Sequence, residues 1–291
     1  MSLKFNKTID WLTVTFRQRE FPETVLPLID LFEIGDRTQG GNHYDTAYKL
    51  ACGGTYAYSK EKRQGIMIML PGQALGTLRQ AGWSDAMTVN WAMGAHNVTR
   101  IDYAIDVFGG TAKEHSPHDA YNAGVAGNIK TKMRLDRSYT DHSQKMPGDS
   151  YYWGSPKSDA RVVCYNKGVQ MRFFKYAWTR VEMRLKGEYA KGLVSDMNDY
   201  GVISAGDAKL KAIWDADIEW FEEALSHDEV LLTQVHHKPG NFAGWLEKSV
   251  KPAMLKNMDK ETDAIRVFHQ WLTREIEDKL NRNLEDLTGG L

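Results

Sequence analysis

The chain has 291 residues, of which 42% are hydrophobic and 26% charged, and its formal net charge is −1. These values exclude a mainly disordered chain, and there is no 18-residue apolar run to cross a bilayer, so no membrane is expected. Cys52 and Cys164 are too few for a disulfide framework or a four-cysteine zinc site, and the first 16 residues lack a signal peptide's apolar core, so a reducing cytoplasm is expected.

Residues 9–16, IDWLTVTF, have the β-branched and aromatic bias of a strand. Strict alternation sets Ile9, Trp11, Thr13 and Thr15 against Asp10, Leu12, Val14 and Phe16. Residues 22–34 read as a short helix despite their prolines, and GDRTQGGNHYD as a turn-rich loop. Two strand-like runs, GGTYAYSKE and GIMIMLPG, flank a charged turn. GQALGTLRQAG reads as a short helix ended by Gly82, and NVTRIDYAIDVFGG as a strand stopped by a glycine pair. SPHDAYNAGVAG opens a helix, with Ser116 as cap and Pro117 at the first helical position. The polar stretch 133–150 reads as a mobile loop, and DSYYWGS, ARVVCYNKG and WTRVEMRLKG as three more strands.

Helical spacing then takes over, across 207–226 and 259–287, with glycines and a proline near 239–244 between them. A strand-rich first part and a helical last part predict an α+β fold, not βαβ alternation. The expected division is a catalytic domain over 1–205 and a helical C-terminal extension over 206–291 packing on it.

The near-zero net charge hides an asymmetry. Residues 125–191 hold 14 Lys/Arg against six Asp/Glu, whereas 207–291 hold 17 acids against 11 bases. A basic centre suits a polyanionic partner, and a solvated surface of scattered charge is the plain alternative.

Three strands concentrate chemistry on one face. In RIDYAIDVF, Arg100, Asp102, Ala104 and Asp106 share a face and Ile101, Tyr103, Ile105 and Val107 the other. Carboxylates on an interior strand need partners, either a divalent cation or salt bridges such as one with Arg100. In TRVEMRLKG, Arg180, Glu182 and Arg184 share a face; Glu182 offers a third oxygen ligand and the arginines suit phosphate. An amphipathic strand with a solvated charged face explains the same pattern. In ARVVCYNKG, Arg161, Val163, Tyr165 and Lys167 share a face. A tyrosine flanked by cations has a stabilised phenolate and can attack phosphorus, although most strand tyrosines only pack.

Together these segments resemble the rolling-circle replication initiation factors of plasmids and filamentous phages. The resemblance is carried, in order over about residues 8–192, by IDWLTVTF, LPGQALGTLR, RIDYAIDVF, YYWGSPKSDARVVCYNKG and TRVEMRLKGEYA. It implies an antiparallel sheet with flanking helices, distantly like the His-hydrophobic-His endonucleases. It also implies nicking and rejoining of one strand at a replication origin through a 5′-phosphotyrosine. Tyr165 matches the nucleophile. Asp102, Asp106 and Glu182 match acidic positions holding Mg²⁺ or Mn²⁺. Arg100, Arg161, Lys167, Arg180, Arg184, Lys157 and Trp153 are expected to contact DNA. Origin DNA is the implied partner, with a host helicase and a second copy of the chain as further ones.

The chain departs from the histidine-metal pattern. His236 and His237 are adjacent, His115 and His118 straddle a helix start, and all nine histidines read as surface or packing residues. Tyr151 and Tyr152 are the competing nucleophiles. Trp153 and Trp178 flank the proposed site and are the tryptophans expected to stack on unpaired bases, while Lys130, Lys132, Arg134 and Arg137 would track duplex phosphates. Two rival functions are a metal-dependent nuclease without a covalent intermediate and a DNA-binding regulator that has lost catalysis.

Overall fold

Alternating apolar residues on neighbouring strands build the centre of this fold. The computed structural model describes residues 2–16, 34–39, 44–59, 65–110, 114–126, 135–140, 148–173, 175–226 and 228–234. The chain divides into two compact units, Met1–Val235 and His236–Leu291, and every described residue belongs to the first. The helix expected over 259–287, and the one over 22–34 as far as residue 33, lie outside the described residues, as do His236 and His237.

The strands are β1 (Lys4–Phe16), β2 (Ile34–Gln39), β3 (Thr46–Leu50), β4 (Thr55–Tyr58), β5 (Ile66–Pro71), β6 (Asn97–Phe108), β7 (Leu135–Thr140), β8 (Gly148–Trp153), β9 (Ala160–Asn166) and β10 (Trp178–Lys186). They form one ten-stranded antiparallel sheet in the order β2-β3-β4-β5-β1-β6-β10-β9-β8-β7. β3 is not recognised in the sequence, and neither are β2 and β7, which fall almost wholly within stretches that read as loops. β2 and β7 are the two edges of the sheet. An edge strand pairs on one side only, so IGDRTQ and LDRSYT need no apolar alternation to be held.

The helices are α1 (Gly72–Gln80), α2 (Asp85–Met93), α3 (Pro117–Val125), α4 (Lys167–Gln170), α5 (Gly187–Tyr200), α6 (Val202–Ile213) and α7 (Glu219–Ala224). Ser116 caps α3 as expected, accepting from the amide of His118 at 3.0 Å. α2, not recognised in the sequence, is capped by Ser84, which accepts from Met87 N.

One face of the sheet is covered. α5 packs on β6 and β10, α6 on α5 and β1, α1 on β1 and β5, and α3 on β8 and β9. Ile101, Tyr103, Ile105 and Val107 of β6 and Val181, Met183 and Leu185 of β10 are fully buried against them. Leu210, Trp214 and Phe221 join the same core, so α6 and α7 complete the layer that covers the sheet. Asp207 of α6 is a buried polar anchor within that layer. It accepts from Lys7 Nζ (2.5 Å), Tyr103 Oη (2.8 Å) and the amide of Ser226 (2.7 Å). No helix among the described residues is long and apolar enough to cross a membrane.

Candidate active site on the open face of the sheet

The other face of β1, β6, β10 and β9 forms the floor of a groove of about 1030 Å³. Its first determinant is a break in alternation. Ile9 pairs with Tyr103 and Trp11 with Asp102, so Asp10 is an extra residue, a β-bulge. Ile9 therefore joins Leu12 and Val14 in the core, contrary to the strict alternation read from the sequence. The bulge frees backbone groups that need partners. The Ile9 amide donates to Asp85 Oδ2 (3.0 Å), and the Ile9 carbonyl accepts from Arg79 Nη1 (3.2 Å). Arg79 also donates to Asp85 Oδ1 (2.6 Å), tying the two helix ends together there.

Asp10 turns into the groove, where its Oδ1 accepts from Arg180 Nη1 at 2.7 Å. Gly72, the first residue of α1, lies against it: a Cβ there would sit 2.7 Å from Asp10 Oδ1. Asp10 was missed as a site residue. Its signal was a carboxylate in phase with Leu12, Val14 and Phe16, an arrangement a buried face rejects unless a bulge re-aims it.

Register explains the remaining pairs. Arg180 stands opposite Asp106, and Arg184 opposite Asp102. Arg180 grips Asp106 with two parallel bonds, Nε to Oδ1 (2.7 Å) and Nη2 to Oδ2 (2.6 Å), and Trp178 Nε1 donates to the same Oδ1 (2.7 Å). Arg100 holds Asp102 through both carboxylate oxygens and lies 4.2 Å over the Trp11 ring. Arg184 Nε donates to Glu182 Oε1 at 2.7 Å and lies 4.0 Å from Asp102.

Tyr165, opposite Arg180, is 8% exposed and donates its hydroxyl to Glu182 Oε2 at 3.1 Å. Burial, and then the Glu182 carboxylate, push this phenol well above its usual value. The expectation of a cation-stabilised phenolate is thus reversed. Lys167 Nζ sits over the Tyr165 ring at 5.7 Å and donates to Gln170, not to the phenol oxygen. Burial, and then Arg180, hold Lys167 below the usual ammonium value. Burial also acts to raise Glu182, but Arg184, Arg180 and the Tyr165 hydroxyl outweigh it and keep its carboxyl below the ordinary range. Asp102 also faces two arginines, but burial outweighs them, with the Glu182 carboxylate adding to the rise, and keeps it raised.

Asp10, Arg100, Asp102, Asp106, Tyr165, Lys167, Arg180, Glu182 and Arg184 all line this one groove. Arg161 lies beside it, opposite Arg184 and 3.9 Å over the Tyr152 ring. Tyr152 pairs with Val163 on the open face, whereas Tyr151 is fully buried, donates to Asp149 and bonds His118. Lys157 is exposed in the turn before β9, away from the groove lining. Trp153 is a correction: it is 1% exposed and packs edge-on against Trp214 at 5.0 Å, so its ring has no face to offer a base. Trp178 lines the groove and packs on Phe108. Lys130, Lys132 and Arg134 lie outside the described residues, and Arg137 is on β7.

The three carboxylates expected to share a divalent ion do not fit one. Asp102 and Asp106 are four residues apart on a strand, about 13 Å along it. A bound ion holds its oxygens within about 2.6 Å, so two such side chains cannot meet on it. Each carboxylate is instead engaged by guanidinium, and no three His, Cys, Asp or Glu side chains among the described residues form a metal-binding group. Salt bridges, the alternative left open by the spacing, are what these residues make.

The family model for replication initiation factors matches residues 96–275, more than half of the chain. The solved structure of the rolling circle replication initiator protein from Geobacillus stearothermophilus is similar in fold, with a TM-score of 0.58 at 18% identity. That match covers 83% of this chain and 92% of the other. No curated protein matches by sequence.

Proposed function

The chain belongs to the replication initiation factor family, and from that premise we propose that it nicks and rejoins one DNA strand at a replication origin through Tyr165. The observation that carries this reading is the Tyr165 Oη–Glu182 Oε2 hydrogen bond, set between Arg180 and Arg184 on a groove floor. A phenol held in its neutral form needs a base at the moment of attack, and a carboxylate kept ionised beside it is one.

In the forward step the Tyr165 oxygen bonds to phosphorus and its proton passes to Glu182. The bond from phosphorus to the 3′ oxygen breaks, and that oxygen leaves as the 3′-hydroxyl after taking up a proton. The 5′ phosphate stays on Tyr165. Rejoining reverses each transfer: the 3′-hydroxyl attacks the phosphotyrosine and Tyr165 recovers its proton. Arg180, Arg184, Lys167 and Arg161 supply positive charge where the phosphorus centre gathers negative charge. All residues in this scheme lie within 1–205, the segment assigned to catalysis. The family's expected Mg²⁺ or Mn²⁺ enters no step here, because the acidic residues expected to hold it are bound to arginine.

The test is covalent capture. The protein is incubated with Mn²⁺ and end-labelled single-stranded oligonucleotides spanning its origin, then run on a denaturing gel. A shifted band lost in Tyr165→Phe is expected. A band that survives moves the nucleophile to Tyr152, the tyrosine of its pair that faces the same side. Cleavage without an adduct means a hydrolytic nuclease, and tight binding without cleavage means a regulator.

A further inference from the structure

Beyond the groove, the turn joining α4 to β10 carries apolar surface where a soluble protein usually buries it. Met171 is 47% exposed, Phe173 50% and Tyr176 71%. Isolated exposed apolar residues are ordinary, but three within six positions form a patch. The same turn carries Arg172 and Lys175. Residues 160–181 hold five Lys/Arg and no Asp or Glu, in a chain with net charge −1.

The turn is held in shape. The Phe173 amide donates to the Gly168 carbonyl (2.7 Å), and the Tyr176 amide to the Phe173 carbonyl (3.1 Å). A Cβ on Gly168 would meet the Tyr176 carbonyl oxygen at 2.8 Å, so only glycine permits this closure. Arg172 has φ 63°, the one non-glycine residue with positive φ among those described. The rings of Phe173 and Tyr176 meet edge to face at 6.4 Å. A surface fixed before binding loses less entropy when a ligand arrives.

We propose that Phe173 and Tyr176, with Arg172 and Lys175 beside them, form a stacking platform for unpaired DNA bases at the lip of the groove. This rests on the function proposed above and adds where the strand runs when it leaves the reacting phosphate. Two observations choose this occupant over an apolar partner. The patch is continuous with the groove, since Gln170 and Met171 line it. Its aromatics alternate with cations and have no acid near in sequence, the combination that follows a phosphate backbone while bases stack. It also takes over the stacking role that the buried Trp153 does not serve.

The test uses a labelled thymidine homopolymer, which contains no origin and no nick site, and reads its anisotropy against wild-type protein. Phe173→Ala with Tyr176→Ala should weaken binding by about five-fold or more. The matching pair of Trp substitutions should restore it to within about two-fold, because stacking needs only a ring. Arg172→Ala should lower the salt dependence by about one ion, and the aromatic changes should leave it unaltered.

Unfolding midpoints of all variants should match wild type, since these side chains are exposed. Unchanged homopolymer affinity in the double alanine variant overturns the platform, and loss of binding to anionic vesicles in its place reassigns the patch to lipid. Because the probe cannot be nicked, an absent covalent adduct sinks the proposed chemistry and leaves this result standing.

Discussion

β6 and β10 present two faces made from alternate residues of the same short segments. Toward the helices stand Tyr103, Ile105, Val181 and Met183, all fully buried, with Asp207 reaching in as a bonded anchor. Toward the groove stand Asp102, Asp106, Arg180 and Glu182, at most 6% exposed, in guanidinium–carboxylate pairs. Both faces are buried, but by different physics. Apolar burial stabilises in proportion to area, whereas burying paired ions costs about as much as it returns. A fold needing only stability would gain nothing from the charged face. That asymmetry supports the proposed role of the charged face in binding DNA.

The comparison is broken most severely by Arg180→Met, which leaves Asp106 and Asp10 without their guanidinium. Denaturant unfolding should show a loss of about 3–5 kcal/mol. Adding Asp106→Leu should recover much of that stability, because a buried pair exchanged for apolar side chains is close to neutral. Adduct formation should stay about 100-fold down in the recovered double variant. Recovery of both together would mean that the pair serves the fold alone.

On the covered face, Trp153→Ala should cost about 3–5 kcal/mol by the same measurement, through the cavity left beside Trp214. DNA affinity of the folded fraction should not change. A smaller and sharper test is the pH profile of adduct formation. Glu182 is held low and stays ionised at neutral pH, while Tyr165 is held high and stays protonated. The rate should therefore show no rise from about pH 7 to about pH 10, and should fall toward the upper end as Lys167, held below the ordinary ammonium value, loses its charge. A ten-fold rise per pH unit across that window would show a free phenolate attacking without help from Glu182.

Much of this was legible in the sequence wherever alternation holds. Arg100, Asp102 and Asp106 on one strand, Arg180, Glu182 and Arg184 on another, and Tyr165 on a third share the face that period two assigns them. The edge strands were not legible, because a strand paired on one side can be polar throughout. Trp153 was misread because nearness in sequence to a site does not say which way a strand residue points; its register against Val162, a core residue, does. The shared ion was a misjudgement of reach, since one face of a strand can be long. Asp10 was hidden by a single inserted residue that no alternating template accommodates.

That inserted residue gives β1 two reading frames. From Trp11 onward the strand keeps one register against β5, with one further shift against β6 between Thr13 and Val14, and before Trp11 it pairs with β6 alone. Lys7 reaches Asp207 only in the earlier frame, and Asp10 reaches Arg180 only as the residue between frames. Deleting Asp10 would set Ile9 directly beside Trp11 in the pairings they already make with Tyr103 and Asp102, so residues 4–9 would keep their faces and Lys7 its reach to Asp207, while Arg180 would lose a ligand. A one-codon loss at this point would thus strip a carboxylate from the open face and leave the covered face in register, where a loss at any other position of the strand would turn one side of it over.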